Sequence, residues 1–372
     1  MTAMMMHSVF SAGSGSEHFF TLIPKQGGSF AEEAENLLAE YRQTIAGSGC
    51  SADSEFLLRF HCSDVVNQAP ILKKMLRDRD SFISVIGQPP ADKCRLALEA
   101  WHILPMRKTR LGEQSFLFTF GNYRILLTEG LDTDAAGSYD QTAGEFASLD
   151  AELAKLGGKV ADHTVRTWLY CRDVDNNYAG LVRARNDYFD SIGLTPQTHF
   201  IASTGIEGLS AKPSRLVTMD SISIPELVRE QFVYLSAPEM LSPTAIYNVR
   251  FERGTRIVFG DRSHYYISGT ASIDKFGKVL YPDDVRMQTC RMLDNTEALL
   301  GVSGGTLGDL KQATVYLRDP ADAGIVREEL EKRLPAGLPL VILKAPVCRP
   351  AWLVEMESIA INAKSGPFPP LT

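Results

Sequence analysis

The sequence predicts an α/β (α+β) protein made of three tandem ββαβαββ units that close into an intramolecular pseudo-trimer. Two repeated pieces carry that prediction. HCSDV (61–65), YCRDV (170–174) and YLRDP (316–320) share one pattern, and about forty residues after each comes a closing segment: RLALE (95–99), RLVTM (215–219) and WLVEM (352–356). Aligned position for position, the closing segments make Leu98, Thr218 and Glu355 equivalent, so that only the third unit is expected to place an acid on this strand.

The third unit is the clearest. Residues 256–259 and 264–268 are β-rich runs joined by Gly260 and Asp261, a hairpin signal. Asp283 opens a helix over 284–300, where Val285, Met292, Leu293, Thr296 and Leu299 recur at helical spacing. A strand at 313–317, a helix at 321–334 and strands at 340–343 and 352–361 complete the unit. The second unit repeats this order with a hairpin (116–120, 123–128), helix 139–156, strand 163–170, helix 178–192 and strands 199–203 and 216–224. In the first unit no opening hairpin is legible, but helix 30–45, strand 55–61, helix 65–77 and strands 81–86 and 95–103 follow. The expected division is 1–110, 111–225, a connector at 226–254, and 255–372.

With 44% hydrophobic and 22% charged residues, the 372-residue chain can bury a core in each unit. A net charge of −7 without any Lys/Arg run argues against a nucleic-acid partner. The start lacks the basic flank of a signal peptide and no stretch has the length of a membrane span, so no membrane partner and a cytoplasmic location are expected. The six cysteines and seven histidines show no ligand spacing, which predicts reduced thiols, no metal and no cofactor. Glycine patterns at 12–16 and 301–305 lack the Lys-Ser/Thr of a phosphate loop and read as turns. Asp173, Asp175 and Asn177 lack the Gly and Glu of a calcium loop and read as a helix cap.

Several ionisable residues are candidates for a binding site, and a small anion could meet a local arginine cluster. Strand alternation puts Leu353, Glu355 and Glu357 on one face, and a carboxylic acid shielded there keeps its proton near neutrality. The bland alternative makes Glu355 an edge-strand partner of a nearby arginine. Arginine pairs a carboxylate through two hydrogen bonds. Arg318 follows the third unit's central strand, and Arg166 shares a face with Trp168 and Tyr170 in the second unit. Across the junction of these units, Arg166 and Tyr170 are expected to meet Glu355; Arg318 reads equally as a turn-capping pair with its adjacent Asp. Arg349 is a further candidate, and Cys348, with no neighbouring His, reads more readily as a buried thiol than as a nucleophile.

Through YISGTASID (266–274), the helix from Asp284, VYLRD (315–319) and LVEMESIAI (353–361), the third unit resembles the YjgF/RidA family. That resemblance implies tandem RidA/chorismate-mutase-like units, with pockets at unit interfaces lined by Gly269 and Glu355. Imine-hydrolysing members carry an Arg in the strand before the glutamate, where this chain has apolar residues 340–343. The whole chain is similar to the chorismatases through RTWLYCRDVDNNYAGLVRARNDYF (166–189), FERGT (251–255) and ISGTASI (267–273). This likeness implies cleavage of the enolpyruvyl ether of chorismate with release of pyruvate, Glu355 being the general acid. Gly254 and Cys348 resemble the type that forms hydroxybenzoate. A RidA-type hydrolase or deaminase of another small acid or imine, and a non-catalytic carboxylate-binding protein, are the alternatives. The chain is expected to be a monomeric pseudo-trimer or a low-order homo-oligomer.

Overall fold

A helix with one apolar stripe has to cover a sheet, and three such arrangements succeed one another along the chain. The computed structural model describes residues 3–372 apart from 14, 26, 78 and 93. The first unit runs β1 (Met4–Ala12), β2 (Gly15–Ile23), α1 (Phe30–Gly47), β3 (Glu55–Cys62), α2 (Val65–Leu76), β4 (Ile83–Gly87) and β5 (Leu96–Leu104), in a sheet ordered β1-β2-β5-β3-β4. The opening hairpin is present after all. β1 is an edge strand with Met4, Met5 and Val9 exposed, so no buried alternation marks it in the sequence. The glycine pattern at 12–16 falls at the turn of this hairpin, with Ser14 outside the described residues.

The second unit comprises β6 (Arg107–Arg110), β7 (Ser115–Phe120), β8 (Tyr123–Leu131), α3 (Ser138–Ala154), a short α4 (Val160–His163), β9 (Thr164–Cys171), α5 (Val174–Ser191), β10 (Ala202–Glu207) and β11 (Val217–Ser223). The third comprises β12 (Phe232–Tyr234), β13 (Gly254–Val258), β14 (Ser263–Ala271), α6 (Val285–Gly301), β15 (Leu310–Leu317), α7 (Ala323–Arg333), β16 (Leu340–Lys344) and β17 (Val354–Asn362). Their sheets are ordered β10-β9-β11-β8-β7-β6 and β12-β13-β14-β17-β15-β16. Strand β6 joins the second sheet from before residue 111, and β12 lies inside the span read as a connector.

The inner faces of the three sheets share one core, to which the first unit gives Phe19, Phe56 and Trp101, the second Phe118 and Trp168, and the third Tyr266 and Tyr316. Helices cover the outer faces, through Leu37 and Leu72 in the first unit and Phe146 and Leu181 in the second.

Strand register corrects the alignment of the closing segments. Ala97 stands opposite His61, Thr218 opposite Tyr170, and Glu355 opposite Tyr316. Ala97, rather than Leu98, is therefore the counterpart of Glu355. A slip of one residue moves a side chain to the other face. Leu98 accordingly packs under the helices while Ala97 faces the shared core.

Two residues further on, every closing strand carries a buried acid, so carboxylates are not confined to the third unit: these are Glu99, Asp220 and Glu357. Each is held by the preceding unit in a cyclic order. Arg59 and Ser84 of the first unit reach Asp220 at 3.3 and 2.7 Å. Arg166 and Trp168 of the second reach Glu357 at 2.8 and 2.7 Å. Thr314 of the third donates to Glu99 at 2.9 Å, beside a contact at 2.8 Å from His61 of the first unit itself. Removing one partner of a buried ion pair leaves an uncompensated charge, at a cost of about 3–5 kcal/mol. Arg166→Ala is expected to lose stability on that order in urea unfolding, whereas Arg166→Met combined with Glu357→Leu recovers most of the loss.

Candidate active site

Helix α5 buries Val174, Leu181 and Phe189 at helical spacing, and Arg185 occupies the same stripe. Its first turn is held by Glu207, whose carboxylate accepts from the Val174 N–H at 2.7 Å. Asp173 occupies the N-cap position in the left-handed region (φ 51°) but its side chain makes no cap bond, contrary to the expected role of the 173–177 acids. Across from α5 lie β14 and β17 of the third unit and the segment leading into β13. A cavity of about 600 Å³ opens between them.

Glu355 lines this cavity and is 6% exposed. Its carboxyl comes so close to the β14 backbone that a Cβ on Gly269 would overlap it. Gly269 in turn donates its N–H to Thr204 Oγ1 at 2.9 Å, which ties the third unit to the second. Among the described residues none donates a hydrogen bond to the Glu355 carboxylate. Burial, reinforced by neighbouring Glu357 and partly offset by Arg253 and Arg166, pushes its pKa up to about 8. The group is therefore a neutral acid at pH 7.

Arg185 is the cation that the sequence reading missed. Its side chain is 1% exposed, lines the cavity, and among the described residues leaves Nε and Nη2 without hydrogen-bond partners. The nearest aromatic ring, that of Phe251, lies 5.9 Å from the guanidinium carbon. A buried cation with free donors is costly unless an anion meets it. Arginine within an otherwise apolar helical stripe was the available signal. Arg253 and Arg349 line the same cavity, stacked on Phe251 and Trp352 at 5.3 and 4.7 Å. Arg250 is ion-paired with Asp190 there.

The other singled-out residues divide between this cavity and elsewhere. Cys348 lines it, and burial first, then Glu355, pushes its thiol up to about 12, so it is no thiolate nucleophile near neutrality. Gly254 does not line it; a Cβ there would press on Ile267, Leu235 and the Tyr266 carbonyl at 3.1 Å, so its place is in packing β13 beside Arg253. Arg166 lies in the shared core, committed to Glu357, Ser268 and Thr204, and acts on Glu355 only through its charge. Tyr170 does not meet Glu355: it lines a different cavity, between the first and second units. Arg318 also lies outside, bonded to Asp175 at 2.7 Å and to the Val347 carbonyl at 2.8 Å, which replaces the expected pairing with its adjacent Asp.

Among the described residues no group of three or more His, Cys, Asp or Glu side chains is arranged to hold a metal. All six cysteines are free thiols. Among the described residues no helix is long and apolar enough to cross a membrane.

Residues 256–362 match the family described as Endoribonuclease L-PSP. A crystal structure of chorismatase superposes over 94% of this chain and 99% of its own, with a TM-score of 0.67 at 19% identity. RidA from the Antarctic bacterium Psychrobacter sp. is 19% identical and covers 34% of this chain and 98% of its own, with a TM-score of 0.30. A YjgF-family protein from Neisseria meningitidis is also 19% identical, covering 34% and 95%, with a TM-score of 0.26. The chain is thus chorismatase-like in fold, with RidA-like domains.

A thiol with a pKa raised to about 12 is almost wholly protonated at pH 8. Cys348 is expected to react with iodoacetamide at pH 8 at least about tenfold more slowly than the thiol of the unfolded chain, as followed by mass spectrometry of the alkylated peptide.

Proposed function

We propose that the protein cleaves the enolpyruvyl ether of chorismate and releases pyruvate, with Glu355 as the general acid. The observation that carries this reading is the pairing, in one cavity, of a buried neutral carboxylic acid with the unpartnered guanidinium of Arg185. The likeness of fold to chorismatase supports the choice of substrate.

Chorismate brings two carboxylates and an enol ether. Arg185 offers free donors to one carboxylate, and a bond between charged groups in a dry site is among the stronger ones. Glu355 gives its proton to the terminal methylene, and the positive charge that develops at the ether carbon is met by the carboxylate left on Glu355. Addition of water at that carbon and collapse of the hemiketal release pyruvate and a dihydroxycyclohexadiene carboxylate. If the bond between the ring carbon and the ether oxygen breaks instead, pyruvate departs directly and loss of a ring proton leaves a hydroxybenzoate. Cys348 stands in the cavity wall as a neutral thiol, where its size helps to decide whether water has room beside the reacting ether.

The same site would serve a catalyst or a mere binder, and Glu355→Gln separates them. General acid catalysis contributes about 10²–10⁴-fold, so Glu355→Gln is expected to lower the rate of pyruvate release from chorismate by that range while binding persists. Binding of chorismate without pyruvate release by the unaltered protein, or an undiminished rate in the variant, would sink the proposal. Arg185→Met is expected to raise KM by about 10–100-fold, the equivalent of a lost charge-assisted hydrogen bond of about 1.5–3 kcal/mol.

The pH dependence has a fixed sign. Only the protonated form of Glu355 can donate, and its pKa is raised from 4.5 to about 8. The rate constant kcat/KM is therefore expected to hold level below that pH and to fall about tenfold per pH unit above it. Glu355→Asp should displace this limb, and a limb that is unmoved assigns it to another group.

A further inference from the structure

The junction of the first and second units holds a counterpart of the Glu355 cavity that is built from different chemistry. By strand register Ser84, Gly130, Thr218 and Asp220 stand where Thr204, Gly269, Glu355 and Glu357 stand at the other junction. At the third junction the space is filled, because residues 88–91 lie along β16: the Ala91 N–H donates to the Ile342 carbonyl at 2.8 Å and the Lys344 N–H to that of Pro89 at 2.7 Å. Between the first two units a cavity of about 330 Å³ stays open, within the range of small-ligand sites. It shares Lys73, Val85, Glu113 and Glu129 with an adjoining cavity of about 220 Å³.

Three of its groups are left over. The Tyr170 hydroxyl is buried and, among the described residues, has no hydrogen-bond partner. Among the described residues Glu129 forms no ion pair, and neither does Lys73, which is exposed at the rim. Asp220 is by contrast satisfied, accepting from Arg59, Ser84 and the Gly130 N–H at 2.8 Å. Asp132 is likewise taken, by Lys212 and Arg215.

We propose that this junction binds a small zwitterion of the α-amino-acid class, with its ammonium on Glu129, its carboxylate on Lys73 and a hydrogen bond to Tyr170. An ammonium supplies the counter-charge that Glu129 lacks, and Lys73 disfavours an amine that carries no carboxylate of its own. Burial first, then the neighbouring Asp220, pushes the Glu129 pKa up to about 8, with Lys73, a backbone hydrogen bond from Ile83 and Arg110 pulling it down. Glu113, Tyr170, Asp132 and Lys212, with Arg77 and Arg79 on the side of the adjoining cavity, are the other titratable and charged groups that line these cavities. Because Glu129 has to give up its proton to receive the ammonium, affinity climbs as pH rises from about 6 to about 8.

The test is calorimetry on the full chain carrying Glu355→Gln, which separates this site from any turnover in the first cavity. The probes are glycine, L-serine and L-phenylalanine, set against ethanolamine and phenethylamine, which lack the carboxylate. Saturable one-to-one binding of at least one amino acid below about 10 mM is expected, at least about tenfold tighter than its amine. Glu129→Gln and Lys73→Ala should each weaken that binding at least about tenfold, and Glu129→Gln should also abolish its rise with pH. Tyr170→Phe, which keeps the ring and its packing, should weaken it measurably without lowering the melting temperature. No saturable binding by any of the three, an amine bound as tightly as its amino acid, or variants that bind as the parent does would each overturn the proposal.

Discussion

Burial of one carboxylate per unit in the shared core is the constraint on which the rest of the structure depends. Glu99, Asp220 and Glu357 occupy the same place on three closing strands and are each 5% exposed or less. A charge so placed is tolerable only with a partner, and a partner from the preceding unit is what each one finds. Three copies of one unit could share an apolar core in several rotations. The cyclic order, first unit to Asp220, second to Glu357 and third to Glu99, selects one of them.

That ordering also sets the chemistry of the neighbouring positions. Arg166 is consumed by Glu357, so it is not available as a direct partner for Glu355 two residues earlier on the same strand face. Glu355 is left with desolvation and a nearby acid, which together hold it protonated. Gly269 makes the arrangement possible, because any side chain there would occupy the space of the carboxyl. At the first junction Gly130 keeps the corresponding backbone open, Thr218 replaces the acid, and a half-buried acid, Glu129, stands one residue before the glycine.

Much of the architecture was legible because each unit obeys strong local patterns. The central strands β3, β9 and β15 are buried along their lengths, and the helices after them carry clear stripes, so order and count of units follow from periodicity. The hairpin of β1 and β2 escaped because β1 is an exposed edge with no alternation to read. The closing strands were found but the first was misaligned by one residue, since similarity of RLALE to WLVEM does not reveal which side of the strand faces inward. Glu355, Gly269 and Cys348 are together in one cavity; Arg166, Tyr170 and Arg318 are not with them, because the cations lie on other elements than their sequence neighbours suggest.

By itself the sequence determined three tandem units of one ββαβαββ pattern, the first without its opening hairpin, an acid at Glu355 on an apolar strand, and the absence of a basic surface run; these are properties of composition and of periods of 2.0 and 3.6 residues, which are local. Only the tertiary structure decided that Arg185 rather than Arg166 or Arg318 lies free in the cavity with Glu355, that Ala97 is the true counterpart of that acid, and that two junctions are open while the third is filled. Which charges are neutralised, and which left without a partner, is fixed by contacts between residues more than a hundred positions apart. No window along the chain contains them.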